Sequence, residues 1–102
     1  MADLYRIHLT FKAVDQLREI FEYIERQSPQ NAPRMIERLL NAIDALDILP
    51  HRYRVVAHAE FPGEEIRSMP VRSYLVRYHV DDVNRIVSIL TIRHGARRPE
   101  DR

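Results

Sequence analysis

The side chains most able to do chemistry in this 102-residue chain gather toward its C-terminal end. The stretch RYHVDDVNRIVSILTIRHGARRPEDR, residues 77–102, carries six arginines, with His94 directly after Arg93 and just before Arg97 and Arg98. Arg67, Arg72 and Arg77 precede them. A guanidinium group presents a planar fork of donors that matches phosphate or carboxylate, so arginines brought together in space form a surface for anions. A histidine in such company can serve as a base or as a hydrogen-bonding contact. Cutting RNA by 2′-hydroxyl attack requires a base, a group that steadies the phosphorane and an acid for the leaving oxygen. His94 can supply the first and the arginines the second, but no tyrosine, histidine or lysine follows His94 to supply the third.

Other chemistries are excluded by composition. Gly63 and Gly95 are the only glycines, so no phosphate-cradling loop can be drawn. Absence of cysteine removes disulfides, thiolate zinc sites and cysteine nucleophiles. The histidines His8, His51, His58, His79 and His94 show no metal-ligand spacing, so neither a metal nor a cofactor is expected. Asp81 and Asp82 sit in a turn sequence and read as turn formers.

The net charge of +1 conceals an asymmetry. Residues 1–50 hold eight acids against six bases, whereas residues 66–102 hold four acids against eight arginines. Hydrophobic residues make up 45% and charged residues 30%, values of a folded globular domain. The length suits one domain spanning residues 1–102. No leader pattern and no window of about 18 apolar residues appears, so a cytoplasmic protein without membrane insertion is expected.

Elements that would position the arginines follow from periodicity. Leu4 to Leu9 alternates as a strand, with Tyr5, Ile7 and Leu9 on one face and Leu4, Arg6 and His8 on the other. Thr10 can cap a helix whose apolar stripe is Val14, Leu17, Phe21 and Ile24. Ser28 and Pro29 offer the start of a second helix, with Met35, Ile36, Leu39, Leu40, Ile43, Leu46 and Leu49 as a broad stripe that Pro50 ends. Residues 51–63 read as a loop with one short extended piece around Arg54 to Ala57. Three strands follow, at Glu65 to Met69, Tyr74 to Val80 and Arg85 to Ile92, the last two joined by the turn DDVN. The order β-α-α-β-β-β predicts an α+β domain of two layers, an antiparallel sheet packed on a helix hairpin. Its open face would carry Arg77 and His79 if the tyrosine and valine side of that strand is buried.

Nearly the whole chain resembles toxins of the RelE/ParE superfamily of bacterial toxin–antitoxin pairs. The pieces that carry the likeness are AVDQLREIFEYIERQSPQNAPRMIERLLNAIDALDILP, EIRSMPVRSYLVRYHVDD and IVSILTIRHGARRP, the last similar to the ParE branch in particular. The resemblance implies a cytoplasmic type II toxin neutralised by a cognate antitoxin, ParD-like with a ribbon-helix-helix DNA-binding domain, in a hetero-oligomer. It implies one of two targets: ParE-like toxins poison DNA gyrase, and RelE-like toxins cut messenger RNA on the ribosome without metal. RelE-like cutting relies on lysines and arginines across the sheet and an aromatic or histidine acid near the C-terminus. This chain has Lys12 as its only lysine, Leu75 where an arginine is expected, and no tyrosine after Tyr78. The ParE reading therefore leads, with no catalytic residue assigned unless His94 serves a nuclease. Arg67, Arg72, Arg77, Arg93, His94, Arg97 and Arg98 are the expected target contacts. Met35, Leu39, Ala42 and Leu46 are the expected antitoxin contacts, aided by Phe11 and Tyr23.

Overall fold

The computed structural model describes residues 4–58 and 64–95. In chain order these form β1 (Arg6–Leu9), α1 (Phe11–Gln27), α2 (Asn31–Asp44), 3₁₀ turns at Ala45–Asp47 and Pro50–Arg52, β2 (Val55–His58), β3 (Glu65–Val71), β4 (Tyr74–Asp81) and β5 (Ile86–His94). The architecture is the expected α+β arrangement, a helix hairpin on one face of a sheet, with the extended piece after Arg54 present as β2.

Thr10 starts α1 as anticipated. Its hydroxyl oxygen accepts from the Ala13 N–H at 3.2 Å and its hydroxyl donates to the Ile89 carbonyl at 2.7 Å, tying the cap to β5. The buried stripe of α1 is Ala13, Leu17 and Ile20, with Ile24 packed against it, rather than one containing Val14, which is 49% exposed. Ala13 is fully buried in the core, and Val14 beside it points outward. Ser28 closes α1 instead of opening α2: its N–H donates to the Ile24 carbonyl at 2.7 Å, and its own carbonyl accepts from Asn31. Pro33 then falls in the first turn of α2, where its missing N–H costs no helical bond. The second helix also stops sooner than its apolar stripe. Its last α-helical residue is Asp44, a 3₁₀ turn delivers Leu46 to the core, and Leu49 adopts φ 52, since the following proline disfavours right-handed helical geometry there.

The sheet order is β1-β5-β4-β3-β2. The β2–β3, β3–β4 and β4–β5 pairs are antiparallel, while β1 joins β5 in parallel, Arg6 beside Ile86 and Leu9 beside Ile89. No short connection links β1 to β5, so nothing forces the hairpin direction on that pair. On the helix-covered face Met69, Val76, Tyr78, Val87, Ile89 and Ile92 are buried against Ala13, Leu39, Ile43 and Leu46. The Tyr78 hydroxyl donates to the Pro50 carbonyl at 2.6 Å, and burial pushes its pKa up to about 12.

One irregularity re-aims a strand. Arg77 pairs with Thr91 but Tyr78 pairs with Ile89, which leaves Leu90 as an extra residue, a bulge in β5. Val87 and Ile89 are buried before it and Ile92 after it. Without the bulge the alternation set by Val87 and Ile89 would turn Thr91 and Arg93 inward and Ile92 out.

Candidate functional site

Opposed residues in neighbouring strands share a face, so the register sorts the expected contact residues into three groups. Arg77 and Arg93 lie on the face away from the helices, opposite Thr91 and Leu75 respectively. Arg72 occupies the two-residue turn between β3 and β4, exposed, with φ 57, a conformation that costs a side-chain-bearing residue about 1–2 kcal/mol. Arg67 and His94 stand on the helix side, opposite Tyr78 and Tyr74. Arg97 and Arg98 lie outside the described residues.

Two of these placements correct the expectation of a single patch. Arg67 is 15% exposed and both terminal nitrogens of its guanidinium are engaged: it donates to the carbonyls of Tyr53 at 2.7 Å and His51 at 3.1 Å, and it pairs with Glu65 at 3.3 Å. It fastens the second 3₁₀ turn to β3, a structural duty. The His94 ring meets Tyr74 edge-on at 5.4 Å between centroids, on the opposite side of β5 from Arg93. Strand alternation separates these adjacent residues, an outcome that proximity in sequence conceals.

Residues missed by sequence reasoning join Arg77 and Arg93 on the open face. Two rows cross it: Ser68, Arg77 and Thr91, and then Ile66, His79, Ser88 and His8. Arg6 lies on the same face beside Ile86. The outward alternation of Arg6 and His8 was readable, but the parallel pairing that brings β1 alongside β5 was not. Among the described residues the carboxylate whose register falls on this face is Asp81, and the β4–β5 turn occupies it. Asp81 accepts from the N–H groups of Val83 and Asn84 and from the Asn84 amide at 2.9 Å, bonds that hold its pKa below the ordinary value. The face is thus rich in cations and hydroxyl groups and poor in free carboxylate.

A second polar cluster sits where β1 begins. Asp82 accepts from the Tyr5 hydroxyl at 2.6 Å and pairs with His51 at 3.1 Å, while the Arg85 guanidinium lies 5.2 Å from the Tyr5 ring centroid. The hydrogen bond from Tyr5, then that from His51, keeps the Asp82 carboxyl below its usual pKa. A cleft of about 50 Å³ lined by His51, Glu65, Arg67, Val80 and Asp82 adjoins it, room for a water or two. Its charged groups already satisfy one another. No group of three or more potential metal ligands occurs among the described residues.

The expected antitoxin contacts also divide. Leu39 and Leu46 are wholly buried in the core, so they have no surface to offer a partner, whereas Met35 and Ala42 are half-buried at its edge. Phe11 is 96% and Tyr23 42% exposed on α1. No described helix is long and apolar enough to cross a membrane.

Comparison with known proteins places this geometry. Residues 7–99 match the family described as ParE toxin of type II toxin–antitoxin system, parDE. Toxin RelE2 of Caulobacter vibrioides is 39% identical over 88 residues, covering 86% of this chain and 92% of that protein. Among solved structures, the chromosomal ParDE system from P. aeruginosa superposes with a TM-score of 0.72 at 17% identity over 91% of this chain and 98% of that one. The archaeal RelE–RelB complex from Pyrococcus horikoshii gives 0.66 at 17% identity over 93% and 99%. The two structures share the fold; the family match and the identity to RelE2 carry kinship. This chain belongs to the ParE toxin family, within the RelE/ParE superfamily, and is a toxin of a type II toxin–antitoxin system.

Proposed function

We propose that this toxin arrests growth by binding DNA gyrase through the open sheet face and the C-terminal arginines, with no bond broken by the toxin itself. The observation that carries the proposal is the separation of His94 from Arg77 and Arg93 by the thickness of the sheet. A nuclease needs its base and its phosphate-steadying cations on one surface. His94 faces the helices beside Tyr74, while the cations face outward. A nuclease would have to recruit His79 or His8 instead, the histidines that the register puts on the open face among the described residues. A binder needs only the donors.

An antitoxin neutralises the toxin in the cytoplasm by covering the helix hairpin, a ParD-like protein with a ribbon-helix-helix domain and an amphipathic tail. Met35 and Ala42 together with exposed Phe11 and Tyr23 form the surface for that tail. The test is a supercoiling and cleavage assay with purified gyrase, in which the toxin inhibits supercoiling and the antitoxin restores it. Replacing Arg97 and Arg98 by alanine lowers inhibition more than it lowers antitoxin binding. Normal supercoiling at toxin concentrations that stop growth, with new cuts in ribosome-bound message, would hand the function to the endonuclease alternative.

A further inference from the structure

The five-stranded sheet ends in two edges that differ in kind. At one edge β2 pairs Val55 with Arg67 and Ala57 with Ile66, so Val56 is an extra residue, a bulge of the sort that twists an edge away from further pairing. At the other edge β1 is regular from Arg6 to Leu9. Its even-numbered residues are committed to β5: the Arg6 N–H donates to the Arg85 carbonyl at 2.8 Å and the Thr10 N–H to the Ile89 carbonyl at 3.3 Å. Alternation therefore turns the N–H and C=O groups of Tyr5, Ile7 and Leu9 outward. Among the described residues the backbone hydrogen bond on this outer side is the one from the Tyr5 N–H to the Asp47 carbonyl at 3.0 Å, which leaves Ile7 and Leu9 as open ladder positions.

Exposed apolar side chains stand at both ends of that open edge. Leu4 precedes it, with Ile48 and Leu49 alongside because Asp47 is tied to Tyr5. Phe11 follows it, with Val14 one turn further along α1. We infer that two copies of this chain pair along β1 about a two-fold axis, Ile7 of each opposite Leu9 of the other, so that one sheet runs through both. An antiparallel pair lays the start of one strand against the end of its mate, which brings Leu4 of each copy to the end that carries Phe11 on the other. Both apolar groups are then covered at once, the self-complementarity that a two-fold contact requires, and this is why the occupant is a second copy. Ile7 and Leu9 exchange both backbone bonds at two places, four hydrogen bonds about the axis. The polar side chains of β1 do not oppose the pairing: Arg6 falls opposite the partner's Thr10, and His8 meets the partner's His8 at the axis, on the open face. Phe11 also belongs to the surface proposed for the antitoxin, so the pair is a state of the toxin free of antitoxin. The inference goes beyond gyrase binding and does not depend on it.

The test is sedimentation of the full chain over a range of concentrations, in which the 12.1 kDa species should give way to one of twice that mass. Cross-linking then locates the contact. The paired His8 positions are of the non-hydrogen-bonded kind, about 4.5 Å apart at Cα, within the roughly 4.4–6.8 Å that a disulfide spans. The chain has no cysteine of its own, so His8→Cys should form a covalent dimer under mild oxidation, whereas Glu37→Cys, exposed on α2, should stay single. Phe11→Ser removes the apolar contact and His8→Glu sets two carboxylates face to face, both at exposed positions. Each should raise the dissociation constant of the pair about tenfold, while the circular dichroism spectrum stays that of the folded chain. Single copies at every concentration would leave the edge to a strand of another protein and overturn the pairing. So would a dimer that forms without cross-linking through Cys at position 8, or one that both Phe11→Ser and His8→Glu leave unchanged, since either result puts the contact on a different surface. Gyrase takes no part in these measurements, so their failure and a failure of gyrase inhibition are told apart.

Discussion

Arg67 and Arg77 show how far two copies of one side chain can differ. Arg67 secures two backbone carbonyls of the segment leading into β2, at 2.7 and 3.1 Å, from a position 15% exposed. Replacing it by methionine keeps the apolar stem and strips the carbonyls of their donor, which should cost about 1–3 kcal/mol in denaturant unfolding. Lysine at the same place should recover little, since one ammonium group cannot reproduce a fork bridging two acceptors. Arg77→Gln, lacking any such bonds to lose, should leave stability within about 0.5 kcal/mol of the parent. A chain that tolerates Arg67→Met as easily as Arg77→Gln would show that the carbonyl contacts hold nothing.

At the scale of elements, β1, the second 3₁₀ turn and the β4–β5 turn meet at Asp82 through Tyr5 and His51. The folded carboxyl titrates below its ordinary value of 3.8, so the bonds contribute stability that is present above that value and is lost as pH falls through the folded value. Tyr5→Phe should accordingly be less stable than the parent near neutrality, with the gap closing in acid; a gap that stays constant from pH 7 to pH 2 would exclude the carboxylate as its source. Elements were also where the sequence was most readable. The alternation of Tyr74, Val76 and Tyr78 against Leu75, Arg77 and His79 separated the two sides of β4, of which the tyrosine and valine side is the buried one, and Thr10 announced the start of α1. The Leu90 bulge left no trace in the apolar run ILTI, because the extra residue is defined only against β4. Ala13 displaced Val14 from the core for a similar reason: close approach of a helix to a sheet rewards small size, which a hydrophobic stripe does not register. The arginine cluster was legible as composition and illegible as geometry.

Taken as a whole, the molecule has two outward surfaces on opposite layers, the hairpin with Phe11 and Tyr23 and the open sheet face with Arg77 and Arg93. The two proposed partners should therefore be separable by substitution. Phe11→Ser, at a side chain 96% exposed, should weaken antitoxin binding about tenfold and leave gyrase inhibition intact. Arg77→Gln with Arg93→Gln should do the reverse. Loss of both activities from either change would mean that antitoxin and target compete for one surface.

The parallel pairing of the earliest strand with the latest has a consequence for how the chain is made. Arg6 to Leu9 find their sheet partners only at Ile86 to Ile89. At about 5–20 residues per second, a growing polypeptide holds β1 unpartnered for about 4–16 seconds. Truncated products that stop before Ile86 lack the strand that docks β1, so a broken or prematurely ended message yields fragments without the toxic architecture. The open sheet face is thus completed last, only when synthesis has passed through the final strand.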